Sequence, residues 1–94
     1  MRRVSNLAFN QEFPGRSGLK AIPSKHVARI ARDPENRFDD QAVGIWIEGQ
    51  ECVVGWLYRK DKNREAVLQK LASVESIPCQ IAVEKGKKVV VFWL

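Results

Sequence analysis

Breaks in the apolar pattern of this chain recur so often that the longest uninterrupted apolar run, residues 89–94, has only six residues. A run of that length suits a β-strand and is far shorter than the roughly 20 residues that a membrane-spanning helix needs. Turn-forming residues separate the runs, and one segment has a helical pattern. The sequence therefore predicts a mainly β fold, a small antiparallel barrel or curled sheet of about six strands, with one α-helix after the fourth strand covering an opening.

The most distinctive segment is residues 32–43, a turn-rich, doubly charged stretch that leads directly into an apolar strand over residues 42–47. Pro34 fixes φ for a turn, and the side chains of Asn36 and Asp39 can hydrogen-bond back to the backbone. A tighter turn could have joined two strands. A longer loop that carries arginine, phenylalanine and aspartate side by side is therefore a place where function can lie.

The other strands are predicted from alternating or β-branched runs bounded by turn residues. The complete set covers residues 4–9, 25–32, 42–47, 52–58, 77–84 and 88–94. Residues 25–32 could also form a helix, but the prolines on both sides favour a strand. Gly49 is expected to supply the positive φ of a hairpin turn, and residues 11–18, with a proline and two glycines, are expected to form a loop.

One helix is predicted over residues 61–72. Val67 and Leu71 follow the three-to-four spacing of a helix that is apolar on one side. Asp61 or Asn63 could cap its first turn, because short polar side chains accept hydrogen bonds from the free amides there.

The chain of 94 residues is expected to form a single domain that needs neither a metal nor a disulfide to fold. Sixteen Lys and Arg against 11 Asp and Glu give a net charge of +5, which favours a polyanionic partner without proving one. Cys52 and Cys79 lie in apolar runs, so buried reduced thiols are expected, although a disulfide would be possible between neighbouring strands. With no signal-peptide pattern, a soluble cytoplasmic protein is expected, with no membrane contact.

Residues 32–45 read R-D-P-E-N-x-F-D-x-x-A-V-x-I, and a turn later residues 54–57 read V-G-W-L before the helix. In this order the chain resembles the HIRAN domain family, whose pattern is R-E-P-x-N-x-[YF]-D-x-N-A-I-x-V, then V-G-[YH]-L, then a helix. The resemblance implies an OB-like or SH3-like barrel of a kind found fused to DNA-remodelling helicases or alone in bacterial and phage proteins. It also implies binding of single-stranded DNA at a 3′-hydroxyl end.

The resemblance further implies roles for individual residues. Phe38 would stack on the terminal base, Asp39 would accept a hydrogen bond from the 3′-hydroxyl, and Arg59 would meet a phosphate. Phe9 would help to form the pocket, and Trp56 takes the aromatic or histidine position beside it. The chain departs from the family pattern at Ala8, Arg37, Gln41 and Tyr58.

Elementary chemistry is consistent with recognition of a strand end. A carboxylate repels phosphate, so Asp39 suits a terminal hydroxyl and disfavours an internal or 3′-phosphorylated nucleotide. A hydrogen bond to a charged acceptor contributes about 1.5 to 3 kcal/mol, which is about tenfold to a hundredfold in affinity. Without the resemblance, Phe38 could instead plug the core beneath the loop. Asp39 could organise an Asx turn, and its two oxygens could serve both roles.

Cationic and aromatic side chains complete the predicted site. Arg37 and Arg59 are the preferred phosphate contacts, whereas Lys62 and Arg64 are expected to be charges on the helix surface. Two to four phosphate contacts would give a logarithmic salt slope of about −1.4 to −2.8. The tryptophans in or beside strands, Trp46, Trp56 and Trp93, are expected to belong to the core.

The sequence thus predicts a non-catalytic module that binds single-stranded DNA ends in DNA repair or replication. The predicted DNA-binding residues are Phe9, Arg37, Phe38, Asp39, Trp56, Arg59 and Lys60. The alternative is a protein-interaction or regulatory adaptor that keeps the barrel without the DNA pocket. An enzyme is the weakest hypothesis, because the single histidine and the absence of a phosphate loop leave no catalytic, metal or cofactor constellation. Motor or nuclease chemistry would come from a helicase or nuclease partner chain.

Overall fold

The computed structural model describes residues 1–13 and 26–94. In order, the described elements are β1 (Arg2–Val4), β2 (Ala8–Phe9), β3 (His26–Arg32), β4 (Val43–Ile47), β5 (Gly55–Trp56), α1 (Arg64–Leu71), β6 (Ser76–Glu84) and β7 (Lys87–Phe92). These strands form one antiparallel sheet in the order β1-β7-β6-β3-β4-β5-β2. The mainly β fold with one short helix is therefore confirmed. The part of the predicted 11–18 loop beyond Phe13 lies outside the described residues.

The two edge strands of the sheet follow one another in the chain. β1 pairs with β7 and β2 pairs with β5, so only residues 5–7 connect opposite edges. Four Cα steps separate Val4 from Ala8, which holds the edges within about 14 Å of each other. The sheet consequently curls into a half-barrel, with Leu7 buried at the crossing. The prediction of one continuous strand over residues 4–9 was wrong, because its two ends pair at opposite edges.

The core lies inside the curl and beneath the helix. Ile30 on β3 stands opposite Ile45 on β4, and Ile81 on β6 stands opposite Val90 on β7; all four are fully buried. Helix α1 contributes its apolar side, which includes Val67, to the same cluster. The apolar side chains that have helical spacing in the sequence therefore face the core, as predicted.

The start of the helix differs from the prediction. Residues 58–64 form turns, in which the Asp61 N–H donates to the Tyr58 carbonyl and the Arg64 N–H donates to the Asp61 carbonyl. Asn63 occupies the N-cap position but its side chain makes no capping hydrogen bond. It is instead 3% exposed and bonds to β1. Tertiary hydrogen bonding has thus replaced the local cap.

The burial of the cysteines and tryptophans agrees only partly with the prediction from the sequence. Both thiols are free, and burial raises the pKa of Cys79 to about 12, whereas Cys52 is only half-buried. Trp46 and Trp56 are half-buried, and Trp93 is 61% exposed because it lies beyond the end of β7. The prediction that all three tryptophans belong to the core was therefore wrong.

Two glycines have special positions. Gly49 has a φ of +85°, which confirms the predicted hairpin turn. Gly55 is needed for a different reason: a Cβ there would lie 2.6 Å from the carbonyl oxygen of Ala8. The predicted strand over residues 52–58 is reduced to the two residues of β5, which pair on both sides with β2 and β4.

We expect Gly55→Ala to lower the free energy of unfolding by about 1 to 3 kcal/mol, because the added methyl group meets backbone rather than a flexible side chain. Urea unfolding followed by tryptophan fluorescence measures this change. Ala66→Gly, on the half-buried side of α1, is a control that perturbs stability without touching the sheet edge. Unchanged stability of Gly55→Ala would contradict the close pairing of β2 with β5.

Candidate functional site

The β3–β4 loop, residues 33–42, is closed by its own backbone hydrogen bonds. The Asp33 N–H donates to the Ala42 carbonyl at 2.9 Å, and the Ala42 N–H donates to the Asp39 carbonyl at 3.1 Å. A further bond of 3.2 Å from the Asn36 N–H to the Asp33 carbonyl closes a turn with Pro34 at its second position. The loop is therefore held in a defined conformation by its own hydrogen bonds.

Asn36 fixes the backbone at the tip of the loop. Its side-chain oxygen accepts hydrogen bonds from the N–H groups of Phe38 at 2.8 Å and Asp39 at 3.0 Å. This is the side-chain-to-backbone bonding that the sequence predicted for Asn36. The directions in which Phe38 and Asp39 leave the loop are set by these two bonds.

A side-chain hydrogen bond ties the loop to the neighbouring strand. The indole Nε1 of Trp56 on β5 donates to Oδ2 of Asp33 at 2.7 Å, and Oδ1 of Asp33 accepts from the Glu35 N–H at 3.3 Å. The sequence predicted no role for Asp33. An acidic residue stands at the same place in the HIRAN pattern, and that is the signal that could have pointed to it.

Phe38 is the most exposed large apolar side chain among the described residues, with 89% of its surface accessible. The alternative in which it plugs the core is therefore excluded. Phe38 lines two separate clefts, and Trp56 lines both of them as well.

One of these clefts, here called the Asp39 cleft, has a volume of about 340 Å³. Its lining residues are Ala8, Asn36, Phe38, Asp39, Ala42, Trp56, Leu57, Tyr58 and Arg59. Four of the predicted DNA-binding residues are brought together here, namely Phe38, Asp39, Trp56 and Arg59. The cleft thus combines aromatic rings with a carboxylate and a guanidinium.

The other cleft lined by Phe38, here called the acidic cleft, has a volume of about 620 Å³. Its charged lining residues are Glu12, Asp33, Glu35, Glu51 and Arg37. Phe9, 46% exposed, also lines it. Phe9 and Arg37 therefore line a different cleft from Asp39, and Lys60, which is exposed, lines neither cleft.

Asp39 uses its two oxygens for different purposes. Oδ1 accepts from the Gln41 N–H at 2.9 Å, which is the Asx-type turn that the sequence allowed. Oδ2 accepts from Arg64 at 2.8 Å and from Arg59 at 3.3 Å. A carboxylate offers about four acceptor positions. Three are occupied, so one position on Oδ1 is left for another donor.

The pKa of Asp39 is lowered from its ordinary value of 3.8. The hydrogen bond from the Gln41 backbone is the largest cause, and the positive charges of Arg64 and Arg59 add to it, while partial burial opposes them. Asp39 is consequently ionised at neutral pH and accepts hydrogen bonds without donating any.

The two arginines around Asp39 differ in exposure. The Arg64 side chain is 16% exposed and also donates to the Gln41 carbonyl at 2.9 Å, whereas the Arg59 side chain is 68% exposed. The prediction that Arg64 is a surface charge was therefore wrong: the first turn of α1 faces the loop, and Arg64 anchors it. Arg59 also donates to the Phe38 carbonyl at 2.8 Å but keeps unused donors that face solvent.

No family model, curated protein or solved structure matches this chain. Within residues 1–13 and 26–94, no three His, Cys, Asp or Glu side chains are grouped so that they could hold a metal ion. In the same part of the chain, no helix has the length and apolarity needed to cross a membrane. Function is therefore inferred from the chemistry of the side chains themselves.

We expect Asp39→Asn to lower the free energy of unfolding at pH 7 by about 1 to 3 kcal/mol, because the arginines lose their charged acceptor. Because folding lowers the pKa of Asp39, the ionised carboxylate contributes fully to the stability of the fold above pH 3.8. This contribution is lost as the pH falls through the lower pKa that Asp39 has in the folded state. The difference in the free energy of unfolding between wild type and Asp39→Asn should therefore become smaller below pH 3.8. Urea unfolding at several pH values measures it, and a difference independent of pH would contradict this role.

Proposed function

We propose that this protein is a non-catalytic, HIRAN-like module that binds single-stranded DNA at a free 3′-hydroxyl end. The observation that carries the proposal is the 89% exposed ring of Phe38 on a loop fixed by hydrogen bonds. A large ring displayed in this way contributes nothing to the core but offers a flat apolar face to a base. The match of residues 32–57 to the HIRAN pattern supports the same role.

Stacking on Phe38 would supply most of the affinity for the terminal base. One stacked base contributes about 1 to 3 kcal/mol and shows little sequence preference, because every base has a π-face. The hydrogen bonds of Asn36 hold the Phe38 backbone before any ligand arrives. Little conformational entropy is then lost on binding, which favours affinity.

Asp39 would distinguish a hydroxyl end from a phosphate end. Its free acceptor position on Oδ1 can take the hydrogen bond of a 3′-hydroxyl, whereas a 3′-phosphate adds negative charge beside the carboxylate. Arg64 and Arg59 partly compensate that charge. We therefore expect a preference nearer to tenfold than to a hundredfold.

The acidic cleft supports recognition of an end rather than of an internal nucleotide. A strand that continued past Phe38 would place phosphates beside Glu12, Glu35 and Glu51, with only Arg37 to offset them. Like charges at short distance repel each other. A terminal nucleotide avoids this contact, because no further phosphate follows it.

The proposal is tested by measuring the affinity of short fluorescent single strands that end in either a 3′-hydroxyl or a 3′-phosphate. We expect about tenfold preference for the hydroxyl, and we expect Phe38→Ala to weaken binding of both strands by about tenfold or more, through lost stacking. Asp39→Asn should reduce the preference between the two ends. Trp93→Ala, which removes an exposed aromatic outside both clefts, is the matched control and should leave affinity unchanged.

Equal binding of both ends that is insensitive to Phe38→Ala would overturn the end-recognition proposal. The second candidate function, a protein-interaction adaptor, is favoured by Trp93 and Leu94, which follow β7 and are 61% and 46% exposed. Exposed aromatics are common anchors at protein interfaces. An adaptor would need Trp93 for its partner and would not bind the strand through Phe38.

A further inference from the structure

A third cleft, here called the basic cleft, lies where β1 meets the start of α1. It has a volume of about 360 Å³ and is lined by Met1, Arg2, Arg3, Lys62 and Asn63. Three of these side chains are cationic, and none of the lining residues is acidic. Clustered like charges repel one another unless an anion lies between them. The lining therefore suits an anionic ligand such as a phosphate group.

Asn63 forms hydrogen bonds to two other residues that line the basic cleft. It is 3% exposed, its Nδ2 donates to the Arg3 carbonyl at 2.9 Å, and its Oδ1 accepts from the Arg2 guanidinium at 3.2 Å. These bonds take the place of the usual capping bond, so a buried polar side chain positions Arg2 rather than the first turn of α1. Arg3 forms an ion pair with Glu84, whereas neither Arg2 nor Lys62 has an acidic partner among the described residues.

The basic cleft and the Asp39 cleft are lined by residues that lie close together in the chain. Asn63, in the basic cleft, is followed in the chain by Arg64, which bonds Asp39. Arg59 lines the Asp39 cleft and Lys62 lines the basic cleft, so their Cα atoms are at most about 11 Å apart. Lys60 is exposed between them, and half-buried Asp61 accepts a hydrogen bond from the Asn63 N–H. A row of three cations, interrupted by one carboxylate, therefore follows the chain from one cleft to the other.

The distribution of charge favours one direction for a bound strand. Four carboxylates line the acidic cleft, where a phosphate backbone is disfavoured, whereas Arg59 lines the Asp39 cleft and Arg2 and Lys62 line the basic cleft. We propose that the basic cleft is a second phosphate-binding site, which holds the backbone of the single strand whose 3′ end lies at Phe38. This inference rests on the proposed function, and it extends the site from one terminal nucleotide to a strand of several.

The test compares a dinucleotide with a single strand of about eight nucleotides, both with a 3′-hydroxyl; a single small β-barrel can cover about 4 to 16 nucleotides. We expect the double variant Arg2→Gln, Lys62→Gln to weaken binding of the longer strand about tenfold and to leave the dinucleotide unchanged. The salt slope for the longer strand should become shallower by about 0.7 for each phosphate that the variant no longer neutralises. Lys70→Gln, Lys87→Gln removes the same charge from two exposed positions outside the clefts and is the matched control.

The outcomes separate this inference from the function on which it rests. If both double variants weaken the longer strand equally, only net charge is involved and the basic cleft is not a site. If the basic-cleft variant weakens the longer strand selectively while Phe38→Ala has no effect, the phosphate site is supported and the end pocket is overturned. Failure of both strands to bind the wild-type protein would overturn both. Thermal unfolding of each variant confirms that it is folded.

Discussion

The hydrogen bond from the Trp56 indole to Asp33 is the interaction on which the arrangement of the site depends. It joins a two-residue strand to the start of a ten-residue loop at 2.7 Å, with a charged acceptor. Bonds of this kind contribute about 1.5 to 3 kcal/mol. Because Trp56 lines both the Asp39 cleft and the acidic cleft, the same bond also fixes the wall that the two clefts share. The bond holds the start of the loop, while the bonds of Asn36 orient Phe38 at its tip.

The net charge of +5 does not show how positive and negative charges are distributed over the protein. One of the two clefts lined by Phe38 has four carboxylates and one guanidinium, whereas the other contains Arg59, three residues before Lys62 of the basic cleft. A uniform positive surface would attract a polyanion in any orientation. Clefts of different charge that share one aromatic residue instead favour one orientation of a charged strand, so the proposed specificity comes from the pattern of charge rather than its amount.

Asp39 shows how one side chain can serve both the fold and a ligand site. Its bonds to Gln41 and Arg64 hold the loop against the first turn of α1, and it also lines the Asp39 cleft with one acceptor position unused. Arg64 is largely buried and fixed, whereas Arg59 is exposed and can exchange its long 3.3 Å bond for a phosphate contact. Anchoring and binding are thus divided between two arginines only five residues apart.

The sequence by itself determined the features that depend on neighbouring residues. Turn chemistry at Pro34, Asn36 and Gly49 predicted the loop and the hairpin, and apolar spacing predicted α1, because such preferences act over a few residues. The tertiary structure alone decided the break between β1 and β2, since hydrogen bonding to opposite edges of a sheet leaves no local pattern. It also decided the roles of Arg64 and the positions of the acidic and basic clefts. Electrostatic interactions depend on distance in space, and residues such as Arg2 and Lys62 meet only after the chain has folded.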